Sequence, residues 1–456
     1  MQNLTSRTYY IDPQAGNDAH AGVSPEQPLQ NYVQLALAGG DTVLFKRGSV
    51  IRDALHTRNG SAAGAVTYGA YGEGAKPVFL GSLPADGAAN WVEEQPSVWR
   101  FTGTFPSEVC NLVFNHGEAC GNLRWRLADL KQQGEWYYSL LGRTAAAEKP
   151  EAGAGGVLYL WSARNPGLAY ASIECALWGE RRQAGGQSWI TLDNLAFRNG
   201  GVHGYQDCRV EHITIRNCEF HCIGGAVWSL ERKIRFGNAV ELWDGARDVR
   251  VEGCVFTKIY DSGVTHQGGD QSDTPDRLWF CGNLFVDCGM AAYECRGPAA
   301  REVYFDYNTC INAGGEFTMQ GEPPPRQSEL YPEPMGHHIF IWRIDPGTQV
   351  ATGKIYIRHN IFCEAPDGMA IYSVIDPADE RQFVIEDNCY WQPAGPWLMR
   401  MNGRVYAPAE FGRYQADTGH DVRSVLAEPH FVNRVAGDYR LQSGSPGTDA
   451  GLTALP

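Results

Sequence analysis

Residues 212–220 read HITIRNCEF, and this pattern decides the fold because it recurs along the chain. Ile213 and Ile215 alternate with polar residues, and Cys218 stands two positions before Phe220. Alternation with a period of two is typical of a strand that buries one face. The pattern occurs in seven copies, and the other six are WITLDNLAF (189–197), DVRVEGCVF (248–256), RLWFCGNLF (277–285), EVYFDYNTC (302–310), KIYIRHNIF (354–362) and QFVIEDNCY (382–390).

Three columns of similar residues appear when the copies are aligned on the third residue from the end of each pattern. The positions three and five before it are apolar in every copy. The position two after it is aromatic in every copy except the one that ends in Cys310. These columns place the apolar side chains on one interior face. The aligned residues themselves are Leu195, Cys218, Cys254, Asn283, Asn308, Asn360 and Asn388.

The repeat predicts an all-β fold, a single-stranded right-handed parallel β-helix. The closest copies have only 23 residues between aligned positions, from Leu195 to Cys218. So short a unit cannot bury its apolar columns alone, whereas stacked copies form a continuous core. The Asn column predicts side-chain amides that bond to one another every ~4.8 Å along the axis. We interpret the 52 residues from Asn308 to Asn360 as two coils, one of which lacks the Asn.

Both ends of the chain add to this pattern. Residues 9–48 and 428–451, together with the repeats, resemble the right-handed parallel β-helix proteins of polysaccharide-active enzymes, which include pectate-lyase-like proteins and glycoside hydrolases. The resemblance implies one domain over residues 1–456, with an N-terminal cap that contains a short helix near residues 29–38. Its parts would be the cap and first coil (1–60), the clearest repeats (189–392) and a closing segment (393–456). Because lyases, hydrolases, epimerases and phage tailspikes share this fold, the fold alone leaves the reaction open.

Composition restricts the partners. The chain has 52 acidic and 38 basic residues and a formal charge of -14, which disfavours binding to nucleic-acid phosphates. It contains no apolar run of the ~20 residues that cross a bilayer. Residues 1–14 show no signal peptide, so we expect a cytoplasmic protein as written, or a secreted or periplasmic one if a signal has been removed. The 13 cysteines form no CxxC motif, and no metal site is predicted.

Three insertions place the candidate site within residues 225–345. SLERKIRFGN (229–238), GGDQSDTPD (268–276) and GEPPPRQSELYPEPMGHH (321–338) interrupt neighbouring repeats. In a solenoid such lengthened turns form the walls of a groove on the outer face. A second strand follows each repeat in this region, and these strands read AVELW (239–243), GVTHQ (263–267), AAYEC (291–295) and EFTMQ (316–320).

Acidic residues in these strands predict acid and base chemistry. Glu241 lies between two apolar residues and should point outward. Glu241, Asp261 and Glu294 are the candidate catalytic carboxyl groups, with His266 in an assisting role. Outward carboxylates two coils apart would lie ~9.5 Å from each other, at the upper end of the range for inverting glycosidases. A one-residue slip decides whether Thr265 or His266, and Tyr293 or Glu294, face solvent.

The neighbouring aromatic and polar residues predict a carbohydrate ligand, because a ring face can stack on a pyranose. The predicted activity is that of a glycoside hydrolase that needs no cofactor and acts on an oligosaccharide or polysaccharide. A polysaccharide lyase or uronate epimerase, with Lys258, His266 or Tyr293 as the base and Ca²⁺ as a helper, remains an alternative. A non-catalytic glycan-binding fibre is another, and the protein would be a monomer or a homotrimer. The candidate substrate-binding residues are Trp243, Tyr260, Gln267, Tyr293, Arg296, Trp342 and Arg343.

Overall fold

Three parallel sheets, here named A, B and C, extend along the protein, and successive strands of the chain enter them in turn. The computed structural model describes residues 6–147, 150–268, 274–297, 300–315, 317, 334–342 and 353–452. Within them the predicted parallel β-helix is confirmed. Parallel strands joined in this way almost always have right-handed connections.

The strands of each sheet follow the order of the chain. Sheet A contains Thr8–Ile11, Thr42–Lys46, Val66–Tyr71, Ile190–Asp193, Glu211–Arg216, Arg247–Glu252, Asp276–Cys281, Glu302–Asp306, Lys354–Arg358 and Phe383–Glu386. Sheet B contains Val50–Ile51, Val78–Leu80, Ala196–Arg198, Glu219–Ile223, Val255–Ile259, Leu284–Cys288, Thr309–Ile311, Ile361–Cys363, Cys389–Trp391 and Val425–Leu426. Sheet C contains Arg182–Ala184, His203–Cys208, Val240–Trp243, Ser262–Gln267, Ala291–Arg296, Ile339–Trp342, Ile371–Val374, Met399–Met401 and, antiparallel at its end, Arg404–Tyr406.

The apolar columns of the repeat fill the interior. Each column residue pairs with its counterpart in the next coil, as Leu192 does with Ile215. The aromatic column stacks from Phe197 to Phe285, where the rings of Phe220 and Phe256 lie 5.1 Å apart and those of Phe256 and Phe285 lie 4.7 Å apart, and Cys310 interrupts it before Phe362. The predicted core is therefore confirmed residue by residue.

The Asn column forms a hydrogen-bonded ladder at the turn between sheets A and B. Each side-chain oxygen accepts the backbone N–H of the preceding column residue at 2.9 Å, and each side-chain nitrogen donates to a backbone carbonyl at 2.8 or 2.9 Å. All four amides are buried, so these bonds satisfy groups that water cannot reach. The ladder residues are Asn283, Asn308, Asn360 and Asn388.

The interpretation of residues 308–360 as two coils is wrong. Asn308 donates its backbone N–H directly to Asn360 at 2.9 Å, and Glu302–Asp306 pairs with Lys354–Arg358. The interval is therefore a single coil enlarged by a long insertion. Its sheet C strand is Ile339–Trp342, whereas the predicted EFTMQ strand lies almost wholly outside the described residues.

The predicted helix near residues 29–38 is also wrong, because this segment is not helical. Leu29 bonds on both sides of its backbone to the first strand, with distances of 2.9 Å. Val33, Leu35 and Leu37 then alternate with a period of two and pack against the end of the core. That spacing suits an irregular extended segment that covers the core, because a helix would turn Leu35 to the face opposite Val33 and Leu37.

An inserted unit between Leu80 and Arg182 was not foreseen. It has its own hydrophobic core and two largely antiparallel sheets. One sheet contains Ser82–Pro84, Val109–Phe114, Ala119–Cys120 and Ile173–Leu177, and the other contains Trp91–Gln95, Val98–Phe101, Asn122–Leu123, Glu135–Tyr138 and Leu158–Trp161. Val227, from the hairpin formed by Ala226–Ser229 and Ile234–Phe236, packs into the core of this unit.

The closing segment terminates the ladder. Ser424 Oγ accepts the backbone N–H of Asn388 at 2.8 Å, and Asp421 Oδ1 accepts its side-chain amide at 3.2 Å. The hydroxyl of Tyr414, on the helix Phe411–Thr418, donates to Asp421 at 2.8 Å. Beyond these residues Phe431–Asn433 and Asp438–Leu441 form a hairpin.

Helices are short throughout the described residues, and none of them has the length and apolar character needed to span a membrane. The α-helices are Arg143–Ala147, Pro166–Ala169, Pro377–Glu380 and Phe411–Thr418. Turns of 3₁₀ helix occur at Ala88–Asn90, Asn115–Gly117, Leu127–Asp129, Pro150–Gly153, Pro408–Glu410 and Arg434–Ala436.

Replacement of Asn308 by Ala should lower the free energy of unfolding by about 2–5 kcal/mol. The change leaves the buried backbone N–H of Asn283 and the carbonyl of Phe280 without partners, and each costs about 1–3 kcal/mol. Urea unfolding followed by circular dichroism measures the loss. Asn122→Ala, at a half-buried strand position in the inserted unit, is the control. Equal losses in the two variants would contradict a stabilising ladder.

Candidate active site on the outer face of sheet C

Strand register brings two glutamates into one column on the outer face of sheet C. Glu241 pairs with Thr265, and Thr265 pairs with Glu294. The column continues with Phe340 and then Tyr372. Since Val240 and Leu242 belong to the interior core, the alternating Glu241 points outward, and its paired neighbours do the same.

A second outward column lies two residues further along each strand. In it Trp243 pairs with Gln267, Gln267 with Arg296, and Arg296 with Trp342. The two columns together present carboxylate, hydroxyl, amide, guanidinium and indole groups side by side. Four of the predicted substrate-binding residues are therefore adjacent in space.

Glu241 is held by three neighbouring side chains. Its Oε1 accepts hydrogen bonds from Trp243 Nε1 at 2.8 Å and from Gln267 Nε2 at 3.2 Å. Its Oε2 lies 2.6 Å from His203 Nε2. Burial by itself would raise the pKa of Glu241, but the attraction and hydrogen bond of His203, with the bond from Trp243, bring it below its ordinary value. Glu241 is therefore ionised at neutral pH.

His203 is a site residue that the sequence analysis missed. Its Nδ1 accepts the backbone N–H of Asn238 at 3.2 Å, and its Nε2 faces Glu241. The residue is buried, and its ring lies 5.6 Å from that of Phe236. His203 precedes the first insertion, so it lies outside the stretch in which the site was predicted. Its strand is paired with the strand of Glu241, and this pairing is the signal that could have identified it.

Glu294 has a comparable set of partners. Its Oε1 accepts hydrogen bonds from Arg296 Nε at 2.9 Å and from Trp342 Nε1 at 2.8 Å. Its Oε2 lies 3.0 Å from the hydroxyl of Ser262. The side chain is buried. Polar groups of this kind are retained in a protein interior only when such partners compensate for lost water.

A chain of polar contacts joins the two carboxylates. Gln267 donates to Glu241, and its side-chain oxygen accepts from Arg296 Nη1 at 3.1 Å. Arg296 in turn binds Glu294, and its guanidinium lies 4.4 Å from the ring centroid of Trp342. The Arg296 guanidinium thus contacts Gln267, Glu294 and Trp342 at the same time. This network fixes both carboxylates before any substrate arrives.

Thr265 lies between the carboxylates and is fully buried. Its hydroxyl has no hydrogen-bond partner among the residues that the structure describes. A buried hydroxyl without a partner costs free energy, about 1–3 kcal/mol. Between the two glutamates there is thus a donor and acceptor that the described residues do not use.

Two predicted residues do not reach the outer face. His266 and Tyr293 alternate with Thr265 and Glu294 and point into the coil, where His266 Nε2 lies 2.8 Å from the Tyr293 hydroxyl. Burial lowers the pKa of His266 to about 3, so it is neutral at ordinary pH. The open question of register is thereby resolved, and the pair is a core contact.

Other predicted residues have structural contacts at the edges of the site. Asp261 accepts the backbone N–H of Gly237 at 2.9 Å. The ring of Tyr260 is buried beneath Arg235, whose guanidinium lies 4.7 Å from it. Lys258 donates to the backbone carbonyl of Glu118 at 2.5 Å, in the inserted unit.

Arg343 lies outside the described residues, so its predicted contact with substrate stays a prediction.

Connections from sheet B to sheet C lie at one edge of this face. The inserted unit is one of them, and the hairpin that ends at Phe236, within the first predicted insertion (229–238), is part of another. Trp228, on the hairpin, is 58% exposed. The second predicted insertion (268–276) instead lies between the sheet C strand that ends at Gln267 and the sheet A strand that begins at Asp276, so the expectation that the insertions share one side of the site is wrong for it. The third (321–338) lies mostly outside the described residues and stays a prediction.

A group that could hold a metal ion occurs elsewhere. Asp53, His56 and Glu180 offer ligand atoms within 4.8 Å of one another, near the first strand of sheet C. The two carboxylates are exposed and contact His56 as ion pairs. No comparable group is found at Glu241 and Glu294 within the described part of the chain.

Comparison with known proteins supports the fold. No family model and no curated protein matches the sequence. A solved structure described as "Glycoside hydrolase" aligns with a TM-score of 0.51 and 11% identity, over 87% of this chain and 89% of that chain. The GH136 lacto-N-biosidase of Eubacterium ramulus aligns with a TM-score of 0.48 and 14% identity, over 92% and 67%. A rhamnogalacturonan lyase aligns with a TM-score of 0.48 and 10% identity, over 98% and 95%. At such identities the first likeness shows a shared fold and does not identify the reaction.

Proposed function

We propose that the protein is a carbohydrate-active enzyme, a glycoside hydrolase that cleaves an oligosaccharide or polysaccharide on the outer face of sheet C. One observation carries the proposal. Glu241 and Glu294 are buried, partnered carboxylates in one outward column, with a single unpartnered hydroxyl between them. A pair of carboxyl groups that flank the scissile bond is what most glycoside hydrolases use.

The spacing of the two glutamates favours inversion at the anomeric carbon. They are two strands apart, which corresponds to about 9.6 Å between their backbones. Inverting enzymes separate their carboxyl groups by about 6.5–9.5 Å, because a water must fit between the base and the sugar. A retaining enzyme, with about 5 Å, would require neighbouring strands.

We assign Glu241 as the base and Glu294 as the acid. Glu241 has a lowered pKa and is ionised, so it can take a proton from the attacking water. Oε1 of Glu294 accepts hydrogen bonds from Arg296 and Trp342. Oε2, which lies beside the Ser262 hydroxyl, is therefore the oxygen that carries the proton. That proton passes to the leaving glycosidic oxygen as the bond breaks.

Aromatic and hydroxyl groups position the substrate. Trp243 and Trp342 flank the two glutamates, and each holds a carboxylate through its indole N–H while its ring remains partly exposed. Such rings stack on sugar faces. Thr265 supplies the free hydroxyl between them.

Hydrolysis is favoured over elimination because of the electrostatics of this face. A lyase must neutralise a uronate carboxylate, yet the fork of Arg296 is already occupied by Glu294 and Gln267. All three candidate bases for elimination lie elsewhere, since Lys258 binds the inserted unit and both His266 and Tyr293 point into the coil. A face with two carboxylates would also repel a uronate.

Glu241→Gln and Glu294→Gln should each lower the turnover of a responsive glycan roughly 10²–10⁴-fold, because general acid–base catalysis contributes about that much. A glycan panel assayed for new reducing ends identifies the substrate and gives the rates. Glu252→Gln, on the half-exposed outer face of sheet A, should retain full turnover. Unsaturated uronate products seen by ultraviolet absorbance would show elimination instead. Full turnover in Glu241→Gln would refute the assignment.

The acid limb of the pH profile of kcat/KM should lie below about pH 4.3, the ordinary pKa of glutamate. Glu241 must be ionised, and its pKa is lowered by His203. His203→Gln removes that attraction while the burial remains, so the pKa of Glu241 should increase and the acid limb should move to higher pH. His212→Gln, on the outer face of sheet A, should leave the limb in place. An unmoved limb in His203→Gln would exclude Glu241 as the titrating base.

Thr265→Val should reduce kcat/KM roughly tenfold, since one hydrogen bond contributes about 1.4 kcal/mol to binding of the transition state. The valine keeps the shape of the side chain and removes only the hydroxyl. Thr265→Ser restores the hydroxyl and should recover most of the activity. Steady-state kinetics of both variants test this, and a serine variant as impaired as the valine variant would indicate a packing role instead.

A further inference from the structure

Two cysteines meet where the inserted unit contacts the β-helix. Cys120 ends the strand Ala119–Cys120 of the inserted unit, and Cys222 belongs to the sheet B strand Glu219–Ile223. Their sulfur atoms lie 3.8 Å apart. Neither forms a disulfide in this structure, and Cys222 is buried whereas Cys120 is partly exposed. The contact joins positions far apart in the chain.

Cys222 has a polar neighbour. His221 Nε2 lies 3.2 Å from its sulfur and 3.2 Å from the carbonyl of Gly117. Burial, with the charges of Arg198 and Lys258, lowers the pKa of His221 to about 4, so its ring is neutral at ordinary pH. Because a carbonyl can only accept a hydrogen bond, Nε2 carries the ring proton, and the Cys222 sulfur lies between this N–H group and the Cys120 sulfur.

Another pair of neighbouring cysteines shows the contrast. Cys218 and Cys254 are successive residues of the aligned column, and Cys218 donates its backbone N–H to the Cys254 sulfur at 3.4 Å. Both are fully buried in the core of the β-helix, and burial raises the pKa of Cys254 well above its ordinary value. That pair is inert packing, whereas a peroxide can reach the partly exposed Cys120.

We propose that Cys120 and Cys222 form an intramolecular disulfide when a peroxide oxidises the protein, which ties the inserted unit covalently to sheet B. In the first step the Cys120 thiol takes an oxygen atom from the peroxide and becomes a sulfenic acid, and hydrogen peroxide is reduced to water. In the second step the Cys222 sulfur attacks the Cys120 sulfur, and the sulfenic oxygen takes up the Cys222 proton and leaves as water. Two thiols and one peroxide thus give one disulfide and two waters.

The disulfide would reinforce the contact between the inserted unit and sheet B, which hydrogen bonds stabilise in the reduced protein. His221 Nε2 lies 3.2 Å from the carbonyl of Gly117, and Lys258 donates to the carbonyls of Gly117 and Glu118 at 3.3 and 2.5 Å. These bonds hold the turn before Cys120 against sheet B. A covalent bond at the same place limits how far the inserted unit can separate from the β-helix in the unfolded chain. The proposal does not depend on the reaction catalysed on sheet C.

The test oxidises the reduced full-length protein with one equivalent of hydrogen peroxide. Peptide mapping without reductant should then give a cross-linked pair of peptides that contain Cys120 and Cys222, lighter by two hydrogens and separated by dithiothreitol. The Tm should rise by several degrees on oxidation, because a long loop is closed. Cys120→Ser should lose both effects, and Cys208→Ser, which removes an exposed cysteine of sheet C, should retain both.

A peptide map of the oxidised wild-type protein that lacks this pair, or that shows oxidation only at other cysteines or between molecules, would overturn the proposal. This measurement needs no variant, so poor folding of Cys120→Ser would not obscure it. A cross-link that forms equally in Cys120→Ser, between Cys222 and another residue, would also overturn it.

Discussion

The hydrogen bond from each ladder amide to the backbone of the neighbouring coil is the interaction on which the rest of the structure depends. It places the same residue of the repeat at the same corner of each successive coil and so fixes the register between coils, as the direct bond between Asn308 and Asn360 shows. Because each coil contributes one strand to every sheet, the same register applies to the strands of sheet C. Asn283 Oδ1 accepts the Cys254 N–H and so joins the coils that carry Thr265 and Glu294, and the Cys218 N–H, which binds the Cys254 sulfur, joins the coil of Glu241 to them. The three residues therefore form one column. A slip of one residue in any coil would turn a glutamate into the core.

The interior of the protein could be predicted from the sequence because each position of the repeat has one physical role. Apolar residues at period two form the core, and Asn at the turn forms a ladder wherever it recurs. The prediction failed where the chain departs from the repeat. Residues 308–360 contain too many residues for one coil, and their length alone suggested two. The direct pairing of the flanking strands shows that length in a loop has little effect on the stacking of coils.

Less of the site than of the core could be predicted from the sequence. Glu241 was placed correctly on the outside because Val240 and Leu242 flank it, but GVTHQ and AAYEC have no such unambiguous pattern. His266 and Tyr293 are polar residues that the solenoid accepts inside because they contact each other. His203 is brought to Glu241 only by the stacking of coils. The inserted unit escaped notice since it repeats nothing, and its own strands resemble those of the solenoid in composition.

The outward column that begins at Glu241 differs in chemistry between its two ends. From Glu241 the column passes through Thr265 and Glu294, and it then continues with the rings of Phe340 and Tyr372 to Arg400, whose guanidinium lies 5.1 Å from the Tyr372 ring. The order of acid, hydroxyl, acid, aromatic ring and cation has no mirror symmetry along the axis. In the activity that we propose, a sugar chain laid along this column would meet different chemistry at its two ends. A β-helix built from similar coils would in that case favour one orientation of a polymer whose two ends differ.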